Sequence, residues 1–215
     1  MAESKSSSSS SLLIATLILL FQALALLVFL PSGMINHARE VEIAWLESLY
    51  SAPTIIWIAE STHALYTLLI IETGIAESLE WAFFPPNDAT TGVDSIGREF
   101  WFPYLEGRAQ ALEALVHLIL VRLVSLSAWL PLYGLVLVPA VLDGLFERSI
   151  KQYTFSYPSP IAHRIGIRSV AFLIFLTLAG LLSPIPIPPL VLPMALAIAT
   201  ATIGIAVVGN LPKKL

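Results

Sequence analysis

The apolar residues of the chain are gathered into four long runs that polar or proline-rich segments separate. The first run, Leu12 to Leu30, has nineteen residues and is interrupted only by Thr16 and Gln22. An α-helix needs about 20 apolar residues to cross a bilayer. The pattern therefore predicts four transmembrane helices, with the later apolar runs at 123–142, 169–182 and 190–208.

Helical periodicity and prolines set the limits of these predicted helices. Apolar positions continue upstream of the second run, so we expect one long helix there, kinked at Pro131 and Pro139. The proline cluster at 183–189 cannot continue a helix and predicts a tight turn. The resulting organisation is a cytoplasmic tip at 1–11, transmembrane helices at 12–30, 111–142, 167–182 and 190–209, and connecting segments at 31–110, 143–166, 183–189 and 210–215.

The first span could be either an anchor or a cleaved signal peptide. Its apolar run is longer than the roughly 7–15 residues of a signal-peptide core. Pro31 directly after the run also makes a poor cleavage site. We therefore expect an uncleaved anchor.

Composition agrees with a chain that lipid largely surrounds. Apolar residues make up 57% of the sequence and charged residues only 12%, whereas soluble domains carry about 25% charged residues. The sequence contains no cysteine, which excludes disulfides, thiolate catalysis and cysteine–zinc sites.

The distribution of positive charge orients the spans. Residues 31–113 hold twelve acidic residues against three arginines, whereas residues 143–168 hold four basic residues against two acidic ones. Lysine and arginine concentrate in cytoplasmic loops. We therefore predict an all-α integral membrane protein with four transmembrane helices, both termini in the cytoplasm, and a helical periplasmic segment between helices 1 and 2.

The periplasmic segment contains two predicted helices. Ala38 to Tyr50 is predicted to be amphipathic, with Val41, Ala44, Trp45 and Leu49 on one face and Glu40 and Glu47 opposite. Residues 54–74 resemble a fifth span but contain Glu60, His63 and Glu72. Carboxylates inside a bilayer are costly, so we expect this stretch to lie on the membrane surface or to pack outside it.

The candidate chemistry is sparse. Glu60 with His63, and Glu113 with His117, could in principle hold a metal ion in a small transporter or a metal-dependent membrane enzyme. We favour the simpler interpretation, in which both pairs are surface residues that stabilise a helix. No hydrolase, metalloprotease or phosphate-binding motif occurs. We expect no enzymatic activity, no cofactor and no metal. The net charge of −4 also argues against direct binding of nucleic acid.

Small residues recur along the fourth span. Ala195 and Ala199, and likewise Thr200 and Gly204, lie four residues apart, a spacing that allows two helices to approach closely. These residues predict helix packing, either within the chain or against another membrane protein, including a second copy of this one.

The segment after the second span is the most distinctive part of the sequence. An Asp-Gly-Leu step at 143–145 leads into basic residues, an aromatic residue and a Ser-Pro step at 159–160. Its candidate contact residues, for a protein partner or for lipid phosphates, are Asp143, Glu147, Arg148, Lys151, Tyr153, His163, Arg164 and Arg168.

This segment resembles a family of integral membrane proteins that integrating conjugative elements and conjugative plasmids encode. The resemblance extends to the layout of spans, to Arg122 on the second span and to the Lys213-Lys214-Leu215 end. It implies a bacterial inner-membrane protein of conjugative DNA transfer, without a catalytic role, that assists the coupling ATPase and contacts other conjugation membrane proteins. An exclusion factor that blocks incoming transfer through the acidic external segment is a further alternative.

Overall fold

A computed structural model describes residues 13–22, 24–25, 29, 31–78, 102–154 and 159–211. Every regular element in those ranges is helical, which confirms the predicted all-α class. Two π-helical segments, Thr67–Ile71 and Ile203–Val208, continue α3 and α7 respectively. The α-helices are α1 (Leu13–Gln22), α2 (Ser32–Leu49), α3 (Ala52–Tyr66), α4 (Phe102–Ser127), α5 (Leu130–Tyr153), α6 (Pro160–Leu181) and α7 (Val191–Thr202).

Proline and glycine set several of these helix ends. Pro53 and Pro131 lie in the first turns of α3 and α5, where the missing N–H costs nothing. Pro160 begins α6, and the hydroxyl of Ser159 accepts a hydrogen bond from the N–H of Ala162 at 3.2 Å. Gly74, at φ 72°, adopts a left-handed conformation just after the first π-helical segment.

Within the described ranges, five helices are long and apolar enough to cross a membrane. The predicted first span is not among these five, because the structure describes only the shorter helix α1 of it. The predicted second span, 111–142, divides into α4 and α5 because Pro131 ends the preceding helix at Ser127. Pro139, by contrast, lies inside α5 without ending it. Ala52–Ile71 is a further candidate that the sequence places outside the membrane. The five helices are compatible with a multi-pass membrane protein.

The predicted cytoplasmic loop at 143–166 differs from the observed structure, because most of it is helical. Helix α5 continues to Tyr153, and α6 begins at Pro160. Glu147 and Lys151, one helical turn apart, form an ion pair at 2.7 Å, and such pairs stabilise a helix. The connection between the two helices is therefore shorter than predicted.

The chain divides into two compact units. The first comprises residues 1–124 together with 182–187. Its core lies between α2 and α4 and consists of Ile35, Ala38, Ala111, Ala114, Leu115 and Leu118. On α2, Ile35, Ala38, Glu42 and Leu46 are buried. Of the predicted apolar face, Val41 and Trp45 are half-buried, whereas Ala44 and Leu49 are exposed.

The second unit comprises residues 125–181 and 188–215. Glycine, rather than large apolar side chains, brings its helices together. A Cβ on Gly204 would overlap Ala140 of α5, and a Cβ on Gly166 of α6 would lie 2.9 Å from the Cβ of Ala206. The second π-helical segment therefore packs closely against both α5 and α6.

Some sequence predictions fall outside the described residues. These are the tip at 1–11, the end of the first span at Leu30, residues 79–101 of the external segment and the Lys213-Lys214 tail. Of the predicted first span, the structure describes the apolar helix α1.

Candidate partner-binding surface

The residues that the sequence selects after the second span lie on two helices of the second unit. Helix α5 carries five of them and α6 carries three. Lys151 and His163 bond to the end of the second π-helical segment or to the residues that follow it, and Glu147 pairs with Lys151. Of the other selected residues, Asp143, Tyr153, Arg164 and Arg168 are exposed, whereas Arg148 is half-buried. These two helices thus present an inner side and an outer side.

Lys151 is at the centre of the inner side. Its Nζ donates to the carbonyl of Gly209 at 3.2 Å and to Oδ1 of Asn210 at 3.0 Å. Glu147 forms an ion pair with the same Nζ at 2.7 Å. Lys151 therefore supplies a positive charge where the second π-helical segment ends, as the helix dipole favours.

Asn210 completes this inner network. Its side chain is only 8% exposed. Its Oδ1 also accepts from the N–H of Ser159 at 3.3 Å, and its Nδ2 donates to the carbonyl of Ala206 at 3.1 Å. The start of α6 is thereby tied to the end of the second π-helical segment. The sequence analysis did not select Asn210. A polar amide directly after an uncharged apolar run could have indicated a residue that caps the end of the helix.

His163 makes a second connection between the same elements. Its Nδ1 donates to the carbonyl of Val207 at 3.2 Å. Val207 lies in the last turn of the second π-helical segment, where carbonyl groups lack a partner within the helix, so a side chain from α6 completes the bonding. His163, Lys151 and Glu147 consequently brace the framework and are not free for a partner.

The glycine of the Asp-Gly-Leu step, Gly144, has a packing role. A Cβ at this position would overlap the carbonyl of Gly204 and lie 3.1 Å from the Cβ of Val208. Helix α5 can therefore contact the second π-helical segment here only with glycine on its surface. Of the four residues predicted for helix packing, Ala199 and Gly204 are buried, and Ala195 and Thr200 are half-buried.

Away from the inner network lie exposed basic and aromatic side chains, which we call the basic face: Tyr153, Arg164 and Arg168. Tyr153 is 85% exposed, and Arg164 and Arg168 are exposed one turn apart on α6. Arg148 is not part of this face, because it is half-buried and its Nε is buried without a hydrogen-bond partner among the described residues. Asp143 is also exposed. This face has the donors and the aromatic ring to bind an acidic surface.

The residues of the alternative metal site make other contacts. Tyr66 of α3 donates to Glu113 of α4 at 3.3 Å, and its ring lies 6.3 Å from the ring of His117. Glu60 and His63 are exposed on α3. Within the part of the chain that the structure describes, no group of three or more histidine, aspartate and glutamate side chains could hold a metal ion. The geometry therefore gives no support to the metal-dependent hypothesis for these four residues.

Comparison with curated proteins gives no match, and neither does comparison with solved structures. A family model does match, over residues 39–208. That range contains α4 to α7, the inner network apart from Gly209 and Asn210, and the whole basic face. The resemblance seen in the sequence is thereby confirmed, and the chain belongs to the DtrJ-like family, the IncC plasmid conjugative DNA transfer proteins.

Proposed function

We propose that this chain is a non-enzymatic accessory component of conjugative DNA transfer in the bacterial inner membrane. It assists the coupling ATPase, or the type IV secretion channel, through protein–protein contact at the basic face. The observation that carries the proposal is the exposure of Tyr153, Arg164 and Arg168 on a braced pair of helices in a member of a conjugative transfer family.

The bracing of the framework supports a binding role. Asn210, Lys151 and His163 tie α5, α6 and the end of the second π-helical segment together, so the arginines and the tyrosine are held on fixed helices. A preorganised surface loses less conformational freedom on binding. Arginine and tyrosine are also enriched among the residues that contribute most to protein interfaces.

The expected orientation of the chain in the membrane also supports contact with the coupling ATPase. Basic residues near the ends of spans favour the cytoplasm, where an ATPase has its nucleotide. In this arrangement the basic face and both termini are cytoplasmic. Residues 31–51, which carry three glutamates against one arginine, are then periplasmic. An acidic patch on the partner would complement Arg164 and Arg168.

The test is affinity purification of the full chain from donor cells in a mild detergent. Wild type should recover the coupling ATPase or a component of the channel. The double variant Arg164→Glu, Arg168→Glu should lose that partner while remaining in the membrane fraction, because both side chains are exposed on the outside of α6.

The matched control is the double variant Lys213→Glu, Lys214→Glu, which changes the charge equally at the end of the chain. It should keep the partner. The proposal is wrong if wild type recovers nothing but further copies of itself, or if the two double variants lose the partner to the same extent.

A further inference from the structure

The first unit holds a buried ion pair whose partners include a stretch of backbone. Glu42 lies on α2 and Arg122 on α4, and their side chains are 5% and 3% exposed. Beside them runs the proline-rich segment Ser183–Ile187, which we call the strap. All three belong to the same unit.

Arg122 divides its donors between the carboxylate and the strap. Its Nε lies 2.9 Å from Oε2 of Glu42, and its Nη2 lies 2.5 Å from Oε1. In addition, Nη1 donates to the carbonyl of Ser183 at 2.5 Å, and Nη2 donates to the carbonyl of Ile185 at 2.9 Å. An ion pair that served only to neutralise two charges would not need these backbone partners.

Glu42 also binds the strap directly. Its Oε1 accepts a hydrogen bond from the N–H of Ile187 at 2.7 Å. The carboxylate and the guanidinium together thus contact every second residue of the strap: Ser183, Ile185 and Ile187.

The strap has few hydrogen-bond donors of its own. Pro184 and Pro186 have no N–H, so this segment cannot form a helix and offers donors only at alternate positions. The N–H of Ile185 is satisfied locally, by Oγ of Ser183 at 3.2 Å. For the carbonyls of Ser183 and Ile185 and the N–H of Ile187, Glu42 and Arg122 supply hydrogen-bond partners from outside the segment.

We propose that Glu42 and Arg122 are a latch that binds the strap as an internal peptide. The strap follows α6 and precedes α7 along the chain, so the latch holds this connecting segment against α2 and α4. Loss of either charge releases the strap, and the helices themselves remain.

The absence of cysteine from the sequence makes a thiol probe simple to place. Ile187→Cys puts a thiol on the half-buried end of the strap, and its rate of alkylation by a maleimide reports release. The measurement uses the full chain in detergent. Ile161→Cys, at a position that is 71% exposed, is the control thiol and should react equally fast in every background.

Two backgrounds weaken the latch to different degrees. Glu42→Gln removes the charge that pairs with Arg122 and should raise the alkylation rate of the strap thiol about ten-fold or more, as expected from losing hydrogen bonds to a charged group. Arg122→Lys keeps the charge but not the planar fork that reaches two carbonyls and a carboxylate. It should give a smaller increase in a protein that remains folded.

The double variant Glu42→Leu, Arg122→Met separates a latch from a simple ion pair. Replacing both buried charges with apolar residues commonly restores stability, so the melting temperature should recover relative to Glu42→Gln. The strap loses both partners in this variant, and its thiol should still react fast. Recovery of both melting temperature and protection would overturn the proposal, as would unchanged alkylation in all three backgrounds.

Discussion

At the scale of single residues, glycine determines how the second unit packs. A Cβ on Gly144 of α5 would overlap the carbonyl of Gly204, whereas a Cβ on Gly134 of the same helix would meet no neighbouring described atom within 4 Å. We predict that Gly144→Val lowers the stability of the protein by about 1–3 kcal/mol, because the added methyl groups overlap backbone. Gly134→Val should be neutral or slightly stabilising, because valine favours a helix more than glycine does.

Thermal unfolding of both variants in detergent measures this difference. The two substitutions are chemically identical and lie ten residues apart on one helix. Equal midpoints for Gly144→Val and Gly134→Val would contradict the packing described for this helix. The sequence shows Gly144 as part of a motif, but the physical reason for it depends on Gly204, sixty residues away.

The same limit applies to the charged residues. Arg122 stands out as the one charge in an apolar stretch, but its partner Glu42 lies 80 residues earlier. Glu42 is one of several glutamates on α2, and the apolar periodicity of the sequence places none of these glutamates in the protein core. A local pattern selects the residues that are unusual for their surroundings. It does not select those that a distant partner makes suitable for burial, such as Glu42.

At the scale of the helices, the apolar runs were sufficient to predict the helical class and the break at the proline-rich turn. They were not sufficient to number the candidate spans. Glu147 and Lys151 stabilise a helix at a place where their charges suggested a loop. Pro131 separates two helices within a stretch whose apolar composition predicted a single helix. Helix ends depend on individual hydrogen bonds, which average hydropathy does not contain.

The helices also suggest a different count of crossings. If Ala52–Ile71 were added as the only further crossing, the basic face would change sides and violate the positive-inside rule. A second added crossing restores it, and the interruption between Ser127 and Leu130 offers the place for one. Four crossings and six crossings therefore both leave the basic face in the cytoplasm.

A reporter fused after Asp88 distinguishes these two topologies, because that position changes sides between them. With Ala52–Ile71 long and apolar enough to span, we predict six crossings and a cytoplasmic reporter at Asp88. A reporter inserted after Thr154 should be cytoplasmic in either case and serves as the control. Periplasmic activity at Asp88 would instead support the four-span arrangement that the sequence predicts.

At the scale of the whole molecule, charge is scarce and unevenly used. Glu42 and Arg122 neutralise each other inside the first unit, and Glu147 with Lys151 braces the second. No intramolecular ion pair or hydrogen bond is described for the side chains of the exposed arginines of α6. In a chain with only 12% charged residues, these exposed arginines are the side chains that the proposed contact would use.

This distribution leads to a prediction about the cell in which the protein acts. An accessory component of the transfer machinery is needed in the cell that exports DNA. Deletion of its gene in the donor should therefore lower the frequency of transfer. Expression in the recipient should have no effect. An exclusion factor would give the opposite pattern, because the acidic external segment would then act on incoming transfer.

Mating assays with the gene present in the donor, in the recipient or in both measure this directly. The deletion strain is then complemented with one of two double variants. Arg164→Glu, Arg168→Glu tests the basic face, and Lys213→Glu, Lys214→Glu is the control. If the donor requires the protein but both double variants complement fully, the family role holds and the contact lies elsewhere on the chain. Reduced transfer with the recipient-expressed protein would favour exclusion, since nothing in donor export depends on the recipient's copy.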